Sequence, residues 1–466
     1  MIIKLNTICI GLLLTIHAGA EALVLEVSGI EISGQQKTKE LVILRELDFT
    51  VGDTISQSCL AERLERNRTN LLNTALFTEA ELNISEWNHD GRQIVVSVVV
   101  KEAWYLYIIP IVELADRNFN VWWQEHDHAF ERLNLGISAQ HINLSGVRDR
   151  LKVKGQVGYT PKFEINYQLP YFNPEKSLGI TADVFWSSNK EVAYLSEGNK
   201  QIFYKNDRSS VFRRFRIQTG IRYRPNLYLT QDVDLFFHSN RVDPVIALEN
   251  NPDFFLDQKS QQNYFALRYK GVYDSRDLQL FPTRGLMCGI EITKEGFGSS
   301  DDVNNLSIAP FVEYHYPITE RMSIGTLVKG QYDVVRKKQP FWNYQALGHG
   351  RDYIRGYELY IINGLDFAYA KTSITTRLID SKINWKKKMP KVFREMPYQL
   401  YLNLNFDIGY VNDPFYYTGN PLVNSTLTGG GPGLSLVVYH TFALHVEYNR
   451  NHLGENGLFL HTKTSF

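Results

Sequence analysis

The sequence predicts a mainly β protein: a 16-stranded transmembrane antiparallel β-barrel preceded by one small α+β domain of order β-α-α-β-β. Three observations carry this prediction. Tyr and Phe are used heavily, 27 and 26 times in 466 residues, which favours strands. From Trp104 to Phe466, segments of about ten residues alternate apolar with polar side chains, the pattern of a membrane-spanning strand. Between residues 23 and 103 the pattern switches between strand and helix periods.

The chain opens with "MIIKLNTICIGLLLTIHAGA", where Lys4 precedes an apolar run from Ile8 to Ile16 and the small residues Ala18 and Ala20 follow. This reads as a cleaved secretory signal over residues 1–22. Cys9 leaves with it, and Cys59 and Cys288 fall in different domains, so no disulfide framework is expected. Charge is balanced, with 50 basic and 50 acidic residues, which argues against nucleic acid as a partner. No later segment is apolar for long enough to form a transmembrane helix, a test that does not bear on barrels.

Residues 23–103 form the small domain. "ALVLEVSGI" reads as a strand, "TKELVILRELDF" as a helix with Leu41, Leu44 and Leu47 near one face, and "CLAERLERNRTNLLNTALF" as a helix with Leu60, Leu64, Leu71 and Leu72 inward. "AELNISEW" and "RQIVVSVVVKEA" alternate as strands around a His89-Asp90-Gly91 turn. The stretches "VSGIEISG", "FTVGDTIS", "LLNTALFTEAELNI" and "VVVKEAW" resemble a polypeptide-transport-associated (POTRA) domain, present here in one copy. A three-stranded sheet of this kind leaves an edge on which another chain can add a strand.

Residues 104–466 form the barrel. In "QLYLNLNFDIGYV", Leu400, Leu402, Leu404, Phe406, Ile408 and Tyr410 share one face, and Gln399, Asn403, Asn405 and Asp407 the other. "RFRIQTGIRYR" sets Phe215, Ile217, Ile221 and Tyr223 against Arg214, Arg216, Gln218, Arg222 and Arg224. "DRLKVKGQVGY" sets Leu151, Val153, Val157 and Tyr159 against Lys152, Lys154 and Gln156. About fifteen to seventeen such segments occur, and single-chain barrels take even numbers, which selects 16. Phe466 ends the chain in phase with Leu458 and Leu460.

Two stretches, "YDSRDLQLFPTRG" and "LGHGRDYIRGY", resemble paired hallmarks of BamA/TamA-type outer-membrane assembly proteins, a family that includes two-partner secretion translocators. The resemblance implies that Arg355, Gly356 and Tyr357 tip a long loop folded into the lumen, with Arg355 on Asp407 of "NFDIGY" and Gly409 two residues on. The family more often has an aromatic two residues before that Asp, whereas here Phe406 directly precedes it. Alternation independently places Asp407 on the polar face, where a lone carboxylate calls for a cation, and arginine can bind a carboxylate in bidentate fashion. In the first stretch Asp274, Arg276 and Asp277 can pair locally, Pro282 fixes φ and Gly285 relieves the turn, a structural role.

Pro110 in "WYLYIIPIVEL" cannot donate to a strand ladder. In the family the first strand meets the last, here ending at Phe466, at a seam that opens sideways; Pro110 is expected to limit pairing there. No catalytic motif is present. The cluster Glu125, His126, Asp127 and His128 in "EHDHAFE" reads as a solvated loop, because consecutive strand residues cannot all face one ion. No enzyme activity, cofactor or metal is expected.

The resemblance implies a bacterial outer-membrane protein with its N-terminal domain in the periplasm. It would receive unfolded client polypeptides at that domain and insert them at the barrel seam, with outer-membrane lipid and accessory periplasmic proteins as further partners. A two-partner-type secretion translocator and a passive pore are the alternatives.

Overall fold

The structure, a computed structural model, describes residues 24–88, 92–114, 121–123, 127–173, 175–206, 208–298, 301–385, 395–439 and 442–464. The leader at 1–22, the His89-Asp90-Gly91 turn, Glu125, His126 and Phe466 lie outside the described residues. Among the described residues no helix is long and apolar enough to cross a membrane.

In the small domain, β1 (Val24–Ser33) turns Leu25 and Val27 inward, and β4 (Gln93–Glu102) turns Ile94, Val96, Val98 and Val100 the same way. That shared apolar face is what α1 (Glu40–Arg45) and α2 (Leu60–Asn73) cover, burying Val42, Ile43, Leu60 and Leu71. Of the face expected from Leu41, Leu44 and Leu47, Leu47 is buried and Leu41 packs against the same core, while Leu44 is exposed; the six-residue α1 also turns Val42 and Ile43 inward.

The sheet has four strands rather than three, in the order β2-β1-β4-β3. The extra strand, β2 (Thr54–Ser56), pairs antiparallel with β1 after a turn in which Asp53 accepts hydrogen bonds from the Thr50 amide and hydroxyl. β1 and β4 are parallel, and β3 (Phe77–Trp87) pairs antiparallel with β4. β3 is the long free edge.

The barrel begins with β5 (Leu106–Leu114), β6 (Leu133–His141), β7 (Arg150–Gly158), β8 (Lys162–Leu169) and β9 (Leu178–Asn189). A separate hairpin, β10 (Glu191–Glu197) and β11 (Lys200–Lys205), stands outside the main sheet. The barrel then continues through β12 (Phe212–Tyr223), β13 (Leu229–Val242), β14 (Gln261–Asp274), β15 (Gly285–Glu295), β16 (Asn305–Pro317) and β17 (Met322–Asp333). It finishes with β18 (Asp366–Asn384), β19 (Glu395–Asn412), β20 (Thr426–Val438), β21 (Phe442–Asn451) and β22 (Asn456–Thr464). These make one 16-stranded antiparallel sheet in chain order, with β9 passing directly to β12.

Side-chain alternation sets what each strand shows. In β19, Leu402, Leu404, Phe406, Ile408 and Tyr410 are exposed on the outside, while Asn403, Asn405 and Asp407 are buried inside. β7 follows the same rule through Val157 and then breaks it. The strand ends at Gly158 in the left-handed region (φ 121°), and Tyr159, expected outside with Val157, turns inward. There its ring lies 4.6 Å from the Arg132 guanidinium and its hydroxyl donates to Glu191. Turns such as β6–β7, β12–β13 and β14–β15 lie at the end that carries the small domain. The 32-residue connection 334–365 between β17 and β18 enters from the far end.

Candidate functional site

The long inward connection brings its Arg-Gly-Tyr tip to the inner wall of β19, β20 and β21. The Arg355 guanidinium is split between two carboxylates rather than bidentate on one. Nη1 donates to Asp407 at 2.7 Å, and Nε donates to Glu447 at 3.0 Å. The second oxygen of Asp407 accepts the Arg355 backbone N–H at 3.0 Å, so main chain and side chain of one residue satisfy one carboxylate. Asp407 is 0%, Glu447 5% and Arg355 15% exposed at the side chain, so none of these charges can fall back on bulk water.

The surroundings enforce this approach. A side chain at Gly429 would put its Cβ 1.9 Å from the Arg355 carbonyl oxygen, and one at Gly409 would strike Ile354 at 2.7 Å. Gly356 adopts φ 85° and its carbonyl accepts from Asn451 at 2.8 Å. Tyr357 is buried; its hydroxyl meets the Thr428 carbonyl at 3.3 Å and the His452 ring in the β21–β22 turn. Phe406, next to Asp407, points outward. The inward position two before the Asp is Asn405, which donates to Glu447 at 3.3 Å and accepts from Ser373 at 2.7 Å. A polar network thus occupies the place where the resemblance implies an aromatic.

The same loop reaches the last strand. Tyr353 stacks on His461 of β22 with ring centroids 5.0 Å apart, and its other neighbour is the Lys371 ammonium, 3.6 Å from the ring centre. Glu358 lies 3.6 Å from His461. Glu358, Glu447 and His461 bring three donor atoms within 4.8 Å of one another, a spacing a metal could use, although Glu447 is already bound to Arg355. Of the expected solvated cluster, Asp127 and His128 form a left-handed turn, and His128 stacks on Trp123.

The β14–β15 turn is a second internal prop. Arg276 forms a two-point pair with Asp274 (2.8 Å for each nitrogen) and extends Nη1 to Glu313 at 3.0 Å. Asp277 does not join that pair; it accepts from the amides of Leu278 and Thr283 and from the Thr283 hydroxyl. Gly285 has φ 111°, and a Cβ there would meet the Ser275 carbonyl at 2.5 Å. Held this way on either side of Pro282, the turn projects Leu280 and Phe281 across the lumen. Leu280 is buried against Tyr401, Val437 and Ala443, and the Phe281 ring lies 4.4 Å from that of Tyr401.

Among the described residues no ladder joins β5 to β22: β5 pairs with β6, Pro110 standing opposite Ile137, and β22 pairs with β21. The neighbouring residues Ile108 and Ile109, on opposite faces of β5, are 63% and 48% exposed. β5 is therefore apolar on both faces, unlike the alternating strands elsewhere.

The small domain is bound to the near end by a buried carboxylate. Glu46 accepts two hydrogen bonds from Arg224 (2.7 and 2.9 Å) and one from Arg148 (3.1 Å), with Arg45 beside it. Burial alone would raise its pKa, but the guanidiniums of Arg224, Arg148 and Arg45 outweigh this and hold it at about 2. Tyr105, Ile142 and Tyr171 extend the domain core onto the near-end turns, and Thr38 bonds both Tyr105 (2.7 Å) and Asn143 (3.0 Å).

Sequence reasoning missed Glu447, Gly429 and Glu46. The polar phase of "HVEYNRN" carries a signal for Glu447 and the run "TGGGPG" one for Gly429, whereas nothing local marks Glu46.

Two outcomes are expected. Arg355→Ala strands two buried carboxylates, at a cost of about 3–5 kcal/mol, and limited proteolysis should then cut residues 334–365 in the folded barrel; unchanged resistance would contradict the latch. The folded carboxyl of Glu46 titrates below its ordinary 4.5, so its contribution is complete above that pH and fades as pH falls toward 2. That contribution is on the order of 3 kcal/mol. Spin labels on α2 and on the β12–β13 turn should hold one distance down to about pH 4.5 and spread below it, and Glu46→Gln should spread them at neutral pH.

Comparison with known proteins agrees with this architecture. Residues 143–436 match a family profile described as an Omp85 superfamily domain, and residues 25–103 match a POTRA profile described as a surface antigen variable number repeat. No curated protein matches the sequence. Among solved structures, BamA from Haemophilus ducreyi lacking POTRA domains 1–3 is similar at 14% identity and a TM-score of 0.53, over 94% of this chain and 84% of that one. CdiB from Escherichia coli is similar at 13% identity and a TM-score of 0.47, over 96% and 90% of the two chains. CdiB from Acinetobacter baumannii has 13% identity and a TM-score of 0.49, over 94% and 73%. With one POTRA domain ahead of a 16-stranded barrel, this chain belongs to the Omp85 superfamily of outer-membrane insertion and secretion proteins.

Proposed function

We propose that the protein sits in a bacterial outer membrane with its POTRA domain in the periplasm and inserts client barrel proteins at the β5–β22 seam. The observation that carries this is the seam: the 16-stranded sheet begins at β5 and ends at β22, and among the described residues no strand ladder joins the two. In hydrocarbon each unsatisfied backbone group costs several kcal/mol, so an incoming client strand that pairs with either edge is strongly favoured. No nucleotide is needed. The doubly apolar β5 suits a strand that swings partly out of the wall and meets lipid or client on both sides. The free edge of β3 supports client capture by strand addition before delivery.

The translocator reading has one observation in its favour, the arginine-rich inner face of β12. Those charges are largely balanced from within: Arg216 pairs with Asp183 at 2.9 Å and Arg222 with Asp232 at 2.7 Å. Passage through the lumen would also require Arg355 to leave two carboxylates and Leu280 and Phe281 to withdraw from the inner wall. A passive pore meets the same obstruction.

Photo-crosslinkers placed in cells at Leu106 and Leu458, both facing outward beside the seam, should capture nascent outer-membrane barrels. Capture of soluble exported chains alone would replace insertion with translocation.

A further inference from the structure

At the junction of the POTRA domain and the barrel lies a cavity of about 370 Å³, walled by α1 and α2 on one side and by the near ends of β7, β8, β9, β12, β13 and β14 on the other. Six arginines line it against three carboxylates. Glu46 is shared by Arg45, Arg148 and Arg224; Asp232 takes Arg222; Asp274 takes Arg276. The side chain of the sixth arginine, Arg150, has no hydrogen bond and no ion pair among the described residues. Its strand neighbour on β8 is neutral Gln168. Arg222, which lines the same cavity, adds a like charge to its surroundings.

An uncompensated guanidinium in a half-enclosed site, flanked by neutral hydrogen-bonding groups such as Gln168 and Thr181, matches the requirements of an oxyanion: a fork for two oxygens and side-chain donors for the remaining lone pairs. We propose that this cavity is an oxyanion site and that its occupant is a carboxylate of the client polypeptide, from an Asp, a Glu or the chain end. The location decides the source. Ile221 and Tyr223 face outward, so Arg222 between them faces the lumen, and the POTRA helices close the other wall. Lipid headgroups outside the barrel do not reach it, whereas a chain handed from the POTRA domain to the barrel passes beside it. This assignment rests on the reading that the protein handles polypeptide clients.

The full chain in a lipid nanodisc at low salt provides the test. The probes are a labelled unstructured peptide carrying Asp and Glu, its Asn/Gln counterpart, and inorganic phosphate. The acidic peptide should bind and the neutral one should not, and Arg150→Gln should weaken acidic binding by about tenfold or more. That variant removes no side-chain hydrogen bond or ion pair among the described residues, and unchanged heat-modifiable migration on a gel will show that it is folded. Equal binding of the two peptides, or no effect of Arg150→Gln, overturns the site. Binding of phosphate alone, dependent on Arg150, overturns the polypeptide assignment and leaves a free-phosphate site. Because binding is read without insertion, a protein that takes the acidic peptide yet inserts no client would defeat the insertion reading and leave the site standing.

Discussion

Every peptide group within hydrocarbon must find its partner inside the protein, and that requirement shapes the whole barrel. Among the described residues fifteen strand ladders meet it, and none joins β5 to β22. Where no ladder closes the cylinder, something else has to hold its ends in place. The internal structure supplies that hold. The 334–365 loop ties β19 and β21 through Arg355 and reaches β22 through Tyr353 and Glu358 on His461, while Leu280 and Phe281 brace β19–β21 from the near end.

The two edges of the seam are consequently anchored to different bodies. β22 is fixed from inside, by the loop. β5 follows directly from Tyr105, which is built into the POTRA core, and the same domain grips the β6–β7 and β12–β13 turns through Glu46. A displacement of the POTRA domain would therefore move the β5 edge while β22 stayed with the loop. Under the proposed function, client engagement at the domain and opening at the seam would be mechanically linked, with the arginine cluster around Glu46 as the joint.

Much of this was legible in the sequence because period-2 alternation is a direct projection of inside and outside. It placed Asp407 in the lumen, where a lone carboxylate calls for a cation, and with the even-number rule it put the strand count at 16. What it could not show were contacts between residues far apart in the chain. Glu447 has the right phase, but nothing near it points to a residue 92 positions earlier. Glu46 draws its meaning from Arg148 and Arg224, on turns of another domain. The "LQLFPTRG" turn reads as local chemistry, and its reach across the lumen depends on barrel curvature. Tyr159 and Leu44 depart from the pattern for local reasons: a left-handed glycine precedes Tyr159, and Leu44 lies on a six-residue helix whose Val42 and Ile43 take the inward face.

The most direct measurement is client insertion by a protein carrying one cysteine in Leu106–Leu114 and a facing one in Asn456–Thr464, assayed oxidised and then reduced. Lateral insertion predicts that the disulfide stops insertion and that reductant restores it. Undiminished insertion with the seam covalently closed would contradict the account.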